Sequence, residues 1–159
     1  MEEILEILEK NSRATCEEIA VMLNKSVEEV RQAIKKYEDE GVILGYTSMI
    51  NWEKTSKESV VALIEVKVTP QRGQGFDKVA ERIYKFPEVK ACYLMSGGFD
   101  LTVIVEGKTM KEVALFVAEK LSPLESVLST STHFVLKKYK DHGVVFEKDY
   151  KDDREAVIL

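Results

Sequence analysis

The chain has 159 residues, 45% of them hydrophobic and 32% charged, with a formal net charge of −5; this is enough apolar surface for one domain or two small ones, and the acidic balance argues against polyanion binding by the whole surface. No apolar run approaches the roughly 20 residues of a bilayer-spanning helix, and Met1-Glu2-Glu3 is acidic where a signal peptide is basic, so a cytoplasmic chain with no membrane partner is expected. Cys16 and Cys92 are far apart and lack Cys-x-x-Cys spacing, which favours two structural thiols over a disulfide or a metal site.

Residues 2–10 place Ile4, Leu5, Ile7 and Leu8 on one helical face with glutamates around the rest. Thr15-Cys-Glu-Glu18 and Ser26-Val-Glu-Glu29 are two Ser/Thr-x-x-Glu capping boxes, each predicting a helix start. Cys16, Ile19, Ala20 and Leu23 recur at helical steps after the first box, and Val27, Val30, Ile34 and Tyr37 after the second. Asn24-Lys25 leaves room only for a tight turn, so the pair forms a helix-turn-helix. Gly41 stops the long helix, and Val42-Ile43-Leu44-Gly45-Tyr46 suits a strand or wing. A first domain over residues 1–50 and a polar linker over 51–59, apolar only at Trp52, follow.

From Ser59 the period changes. Val60–Thr69 is a β-branched strand ending at Pro70, and 71–75 is a loop. Phe76, Val79, Ala80 and Ile83 mark a helix ending before Pro87; Val89–Ser96 and Phe99–Glu106 are strands joined at Gly97-Gly98. Thr109–Leu121 has helical spacing and Val127–Tyr139 alternates as a strand. The order β-α-β-β-α-β over residues 60–140 predicts a ferredoxin-like antiparallel sheet with both helices on one face, hence an α+β chain. Val61 and Leu63 keep the opposite face apolar, which suggests sheet-to-sheet packing in a homodimer. Residues 141–159 form an acidic C-terminal tail, with Asp149, Asp152, Asp153 and Glu155 ahead of Ala-Val-Ile-Leu159.

Two motifs carry a family resemblance: Glu38-x-x-Gly-Val-Ile-x-Gly-Tyr46 closing the long helix, and Ser96-Gly-Gly-Phe-Asp100 at the hairpin. Ser129-Thr-Ser-Thr132 in the last strand is a third. With them the chain, from about residue 3 to 140, resembles the Lrp/AsnC (feast/famine) family of bacterial and archaeal transcription regulators. The resemblance implies a winged helix-turn-helix, a ligand-sensing RAM domain, dimers that often assemble further into octamers, and amino acids or related metabolites as effectors.

On the long helix, an inward Val27, Val30, Ile34 and Tyr37 turns Glu28, Gln32, Lys35, Lys36 and Asp39 outward with Arg31 on the flank. Gln32 can pair bidentately with an adenine edge, and Arg31 can reach guanine or phosphate. Lys25, Ser26, Lys35 and Lys36 suit the backbone of double-stranded DNA, although lysines equally suit a plain solvated face. Glu28, Glu29 and Ala33 depart from the small polar residues and arginines that relatives commonly place in the first turns. Residues 1–50 hold six basic and eleven acidic side chains, so all the net negative charge sits in the first domain. Weak, salt-sensitive DNA binding by a single dimer is therefore expected, strengthened by further assembly.

At the other end, Gly97 and Gly98 expose N–H groups to a carboxylate, and Asp100 can accept from an α-ammonium. Thr130 and Thr132 share a strand face and offer hydroxyls. A bare hairpin turn capped by Asp100 accounts for the same residues, and the resemblance, with Phe99 inside its motif, favours an effector pocket at an inter-dimer contact. His133 and His142 are read as isolated from carboxylate or Cys partners, and no nucleophile–base set or metal-ligand spacing is found, so no enzyme, cofactor or metal is expected. The leading reading is a sequence-specific DNA-binding transcription regulator that oligomerises and senses an amino acid; the alternative is a metabolite-sensing or protein-interaction module with weak or lost DNA binding.

Overall fold

The computed structural model describes residues 2–70, 73 and 75–146. Gln71, Arg72 and Gln74 of the predicted loop, and 147–159 of the predicted tail, lie outside the described residues. The chain divides into two units between Ile50 and Asn51.

In the first unit, α1 (Glu3–Lys10) buries Ile4 and Leu8. The N-terminus of α2 (Cys16–Leu23) is closed by a reciprocal cap: Thr15 Oγ1 accepts the Glu18 N–H at 3.2 Å, and the Glu18 carboxylate accepts the Thr15 N–H at 2.9 Å. Ser26 and Glu29 repeat this at the start of α3 (Val27–Asp39), at 3.2 and 2.8 Å. Between the helices Asn24 adopts the left-handed conformation, φ 51° and ψ 49°, which asparagine tolerates better than most residues. The core is Ile4, Leu8, Ile19, Ala20, Val30 and Ala33. Ala33 thus belongs to the packed face of α3 and not to its outward one, because the stripe centred on Val30 extends to both the i+3 and the i+4 neighbour.

Gly41, at φ +69°, ends α3, and the N–H groups of Val42 and Ile43 both donate to the Tyr37 carbonyl. The expected strand over 42–46 does not form among the described residues. A strand needs a partner ladder, and this segment is instead held by side chains: Ile43 packs on the core, and Tyr46 OH donates to Glu38 Oε1 at 2.8 Å. Leu44 is 94% exposed.

In the second unit, Trp52–Lys54 makes a 3-10 turn, and Lys57 Nζ sits 4.1 Å over the Trp52 ring while pairing with Glu106 at 3.1 Å. The elements that follow are β1 (Val60–Val68), α4 (Asp77–Tyr84), β2 (Val89–Leu94), β3 (Leu101–Gly107), α5 (Met110–Phe116) and β4 (Val127–Phe134). A π-helical turn, Val117–Leu121, extends α5. The sheet is antiparallel in the order β2-β3-β1-β4. Ala62, Ile64 and Val66 of β1 face Val105, Val103 and Leu101 of β3, and this side packs on Val79 and Ile83 of α4 and Val113 and Phe116 of α5. The predicted β-α-β-β-α-β order and single helix-covered face are therefore present.

The ends of β1, β2, β3 and α5 differ from expectation by a few residues, with β2 stopping at Leu94 and β3 starting at Leu101, and the C-terminal part differs more. β4 stops at Phe134 and not Tyr139, because its pairing with β1 runs out: Phe134 faces Ala62, Val135 donates to Val61, and β1 begins at Val60. Residues 140–145, expected as the last residue of the domain and the start of the tail, form a small hairpin of β5 (Lys140–Asp141) and β6 (Val144–Val145). Its two turn residues, His142 and Gly143, both have positive φ, the backbone that a tight two-residue hairpin turn requires.

Candidate nucleic-acid interface and effector site

The two capping boxes fix where α2 and α3 begin, and packing of Ile19, Ala20, Val30 and Ala33 fixes which way α3 faces. Glu28, Arg31, Gln32 and Lys35 then fall at i, i+3, i+4 and i+7 on one exposed stripe. They are not independent of one another. Arg31 Nη1 donates to Glu28 Oε2 at 3.0 Å and Gln32 Nε2 to Glu28 Oε1 at 2.9 Å, and Arg31 Nη2 lies 4.0 Å from Glu17 Oε1 on α2. Lys36 pairs with Glu40 one turn on, at 3.8 Å. Among the described residues Lys35 makes no ion pair.

Ser26 stands at the same end of α3, but its hydroxyl is engaged locally: it accepts the Glu29 N–H and donates to Glu29 Oε2 at 2.7 Å. Those bonds from Ser26, side chain first and backbone second, hold the Glu29 carboxyl below its ordinary value, with Lys25 adding to the effect. Glu29 is thus a capping group, whereas Glu28 belongs to the exposed array. Glu17 was missed as a member because it lies on another helix, and no spacing along α3 points to it.

In the second unit, Gly97 has φ +114°, so glycine is needed there for the backbone; a Cβ at either Gly97 or Gly98 would meet open space. Asp100 has a structural partner: its Oδ2 accepts the Val68 N–H at 2.8 Å, and its own N–H donates to the Val66 carbonyl. Phe99 and Asp100 are half-buried. Thr130 and Thr132 pair with Val66 and Ile64, so both lie on the helix-covered side of the edge strand, where Thr130 Oγ1 is 3.4 Å from Ser122 Oγ. Leu101, Val66 and Thr130 form one row across three strands, so the hairpin motif and Thr130 share one end of the sheet, about 10 Å apart at the usual strand spacing.

The uncovered face carries half-buried Val61, Leu63 and Ile104 and a 55% exposed Tyr93. A groove of about 820 Å³ there, toward the end remote from Gly97, also involves Lys90 and Tyr139. The histidines, expected to be isolated from carboxylates, each lie beside one: His133 Nε2 is 3.6 Å from Glu65 on the neighbouring strand, and His142 Nδ1 is 2.8 Å from the adjacent Asp141. No group of three or more His, Cys, Asp or Glu suited to a metal exists among the described residues. Nor is any helix among them long and apolar enough to cross a membrane.

Comparison with known proteins agrees with this layout. A winged helix-turn-helix DNA-binding family matches residues 2–43, and the Lrp/AsnC ligand binding domain matches residues 61–145. The uncharacterized HTH-type transcriptional regulator YugG of Bacillus subtilis is 56% identical over 157 residues, covering 98% of this chain and 94% of that one. The HTH-type transcriptional regulator LrpA of Pyrococcus horikoshii is 31% identical, over 86% of this chain and 94% of its own. Among solved structures, a transcriptional regulator of Neisseria meningitidis in complex with L-Met superposes with a TM-score of 0.70 at 25% identity, covering 87% and 88% of the two chains. The capped helix-turn-helix, the β-α-β-β-α-β domain and these likenesses together make the chain a member of the Lrp/AsnC family, a transcriptional regulator with a helix-turn-helix and an Lrp/AsnC ligand-binding domain.

Proposed function

We propose that the protein is a sequence-specific DNA-binding regulator whose second domain oligomerises and senses an amino acid. The observation that carries the DNA half is the exposed stripe of Glu28, Arg31, Gln32 and Lys35 on a helix held in place by two capping boxes. Arg31 and Gln32 read base edges; Lys25, Lys35 and Lys36 contact phosphates; Ser26 positions the helix start. Replacing Arg31 and Gln32 together by alanine abolishes operator binding and leaves the oligomer intact. Retained operator binding by that double variant would sink the assignment.

The effector half rests on the Gly97–Asp100 hairpin, with Thr130 at the same end of the sheet and Thr132 two residues further along β4 on the same face. The N–H groups of Gly97 and Gly98 take the carboxylate of an amino acid, the Asp100 oxygen facing away from Val68 takes its ammonium, and Phe99 and the threonines bound the side chain. The Neisseria relative bound to L-Met supports this ligand class. A homodimer formed through Val61, Leu63, Ile104 and Tyr93 covers the open face, and further assembly to an octamer multiplies the contacts with DNA. Domain limits of 1–50, 51–59 and 60–140, with a tail beyond, and a cytoplasmic location complete the reading.

One observation favours the alternative of a sensor with weak or lost DNA affinity: the first domain is net negative, and its central arginine already faces two carboxylates, Glu28 and Glu17. Recovery of genomic DNA fragments with the full-length protein separates the two readings.

A further inference from the structure

Glu28 sits in the first turn of α3, where a recognition helix meets the base edges. Its two oxygens each accept one hydrogen bond, from Arg31 and from Gln32, and each keeps a further lone pair. The side chains of Glu28 and Arg31 are 62% and 58% exposed, so this array is presented outward and is not buried packing. Such an array treats phosphate and base pair differently. Toward the phosphate backbone Glu28 repels, and Arg31 is already offset by Glu28 and Glu17, so sequence-independent binding is weakened. Toward the major groove a carboxylate needs a donor, and the matching group is the N4 amino group of cytosine. Adenine also offers an amino group, but its neighbouring N7 acceptor faces a carboxylate unfavourably.

We infer that Glu28 is a specificity-determining residue that accepts from a cytosine N4 amino group in the major groove and holds Arg31 and Gln32 for reading bases over phosphates. This rests on α3 being the DNA-reading helix. An ion pair that merely steadied the helix surface would leave base preference untouched.

The test is selection from a random duplex library with the full-length protein, its Glu28→Ala, Glu28→Gln and Lys35→Ala variants, and titration of each against random-sequence duplex. The wild type enriches a motif with cytosine at one position of the half-site. Glu28→Ala keeps the remaining positions, loses that preference and binds random duplex roughly tenfold more tightly. Glu28→Gln moves the preference toward adenine, whose edge a carboxamide pairs bidentately. If Glu28→Ala does not fold by circular dichroism, Glu28→Gln alone decides. A motif unchanged in both variants overturns the role of Glu28 and leaves the DNA-reading helix standing. No motif from the wild type, with random-duplex binding unaffected by Lys35→Ala, overturns the reading of α3 and this inference with it.

Discussion

Asp100 is tied to Val68 across the end of the sheet: one carboxylate oxygen accepts the Val68 N–H at 2.8 Å, while the Asp100 N–H donates to the Val66 carbonyl at 3.0 Å. The residue proposed to hold an effector ammonium therefore also closes the last turn of the hairpin onto β1. Asp100→Ala leaves the Val68 N–H without its acceptor and destabilises the second domain by about 1–3 kcal/mol. Asp100→Asn retains an oxygen for Val68 but removes the charge. It keeps the unfolding midpoint close to wild type and loses the shift that L-methionine produces. A full methionine shift in Asp100→Asn would make Asp100 purely structural.

The Ser26 cap is a separate test of the reading helix. Ser26→Ala removes the acceptor of the Glu29 N–H and costs about 1 kcal/mol of stability in the first domain. The hydrogen bonds from Ser26 lower the Glu29 carboxyl, so their contribution is present at and above the ordinary glutamate value of 4.5 and is lost as pH falls through the depressed folded value. Glu29→Gln flattens that acidic decline relative to wild type. Thermal unfolding followed between pH 7 and pH 3 reads the difference.

These helix starts were legible because a capping box is a local signal, complete within four residues of sequence. The β-α-β-β-α-β order was legible because hydrophobic period switches visibly between two and about four. What escaped was set by partners remote in sequence. The end of β4 depends on where β1 begins, and alternation simply continues through Val135–Tyr139 after the partner has gone. The pairing of Glu28 with Arg31 and Gln32 lies within helical spacing, but the approach of Glu17 from α2 depends on how two helices cross. Asp100 admitted both an effector role and a capping one, and only its distance to Val68 shows that it caps.

Ala33 shows the same limit at a single position. It is 6% exposed, in contact with the core that α1 and α2 contribute. Ala33→Leu pushes extra methylenes into this packing and destabilises the first domain by about 1–3 kcal/mol. A solvent-facing position 33 would accept leucine with little change. Urea unfolding midpoints of the two proteins distinguish these cases and so check the rotation of α3 on which the whole exposed stripe depends.

The charge of the first domain then decides how DNA binding responds to salt. Residues 1–50 are net negative with six basic side chains, of which Arg31 and Lys36 already face carboxylates. Few cations remain to neutralise phosphates, so one head binds weakly, its log affinity falls with a measurable slope as log salt rises, and useful affinity comes from several heads engaging together. Replacing Lys35 and Lys36 by alanine reduces that slope by about 1 per head, most of it from Lys35, unpaired among the described residues, and weakens all sequences alike. Replacing Arg31 instead flattens the difference between operator and random duplex by about 1–3 kcal/mol, because it removes a base contact. Anisotropy titrations at several salt concentrations, with operator and random duplex in parallel, separate the two effects. Lysine variants that changed base preference, or an Arg31 variant that changed only the slope, would reverse the division of labour along α3.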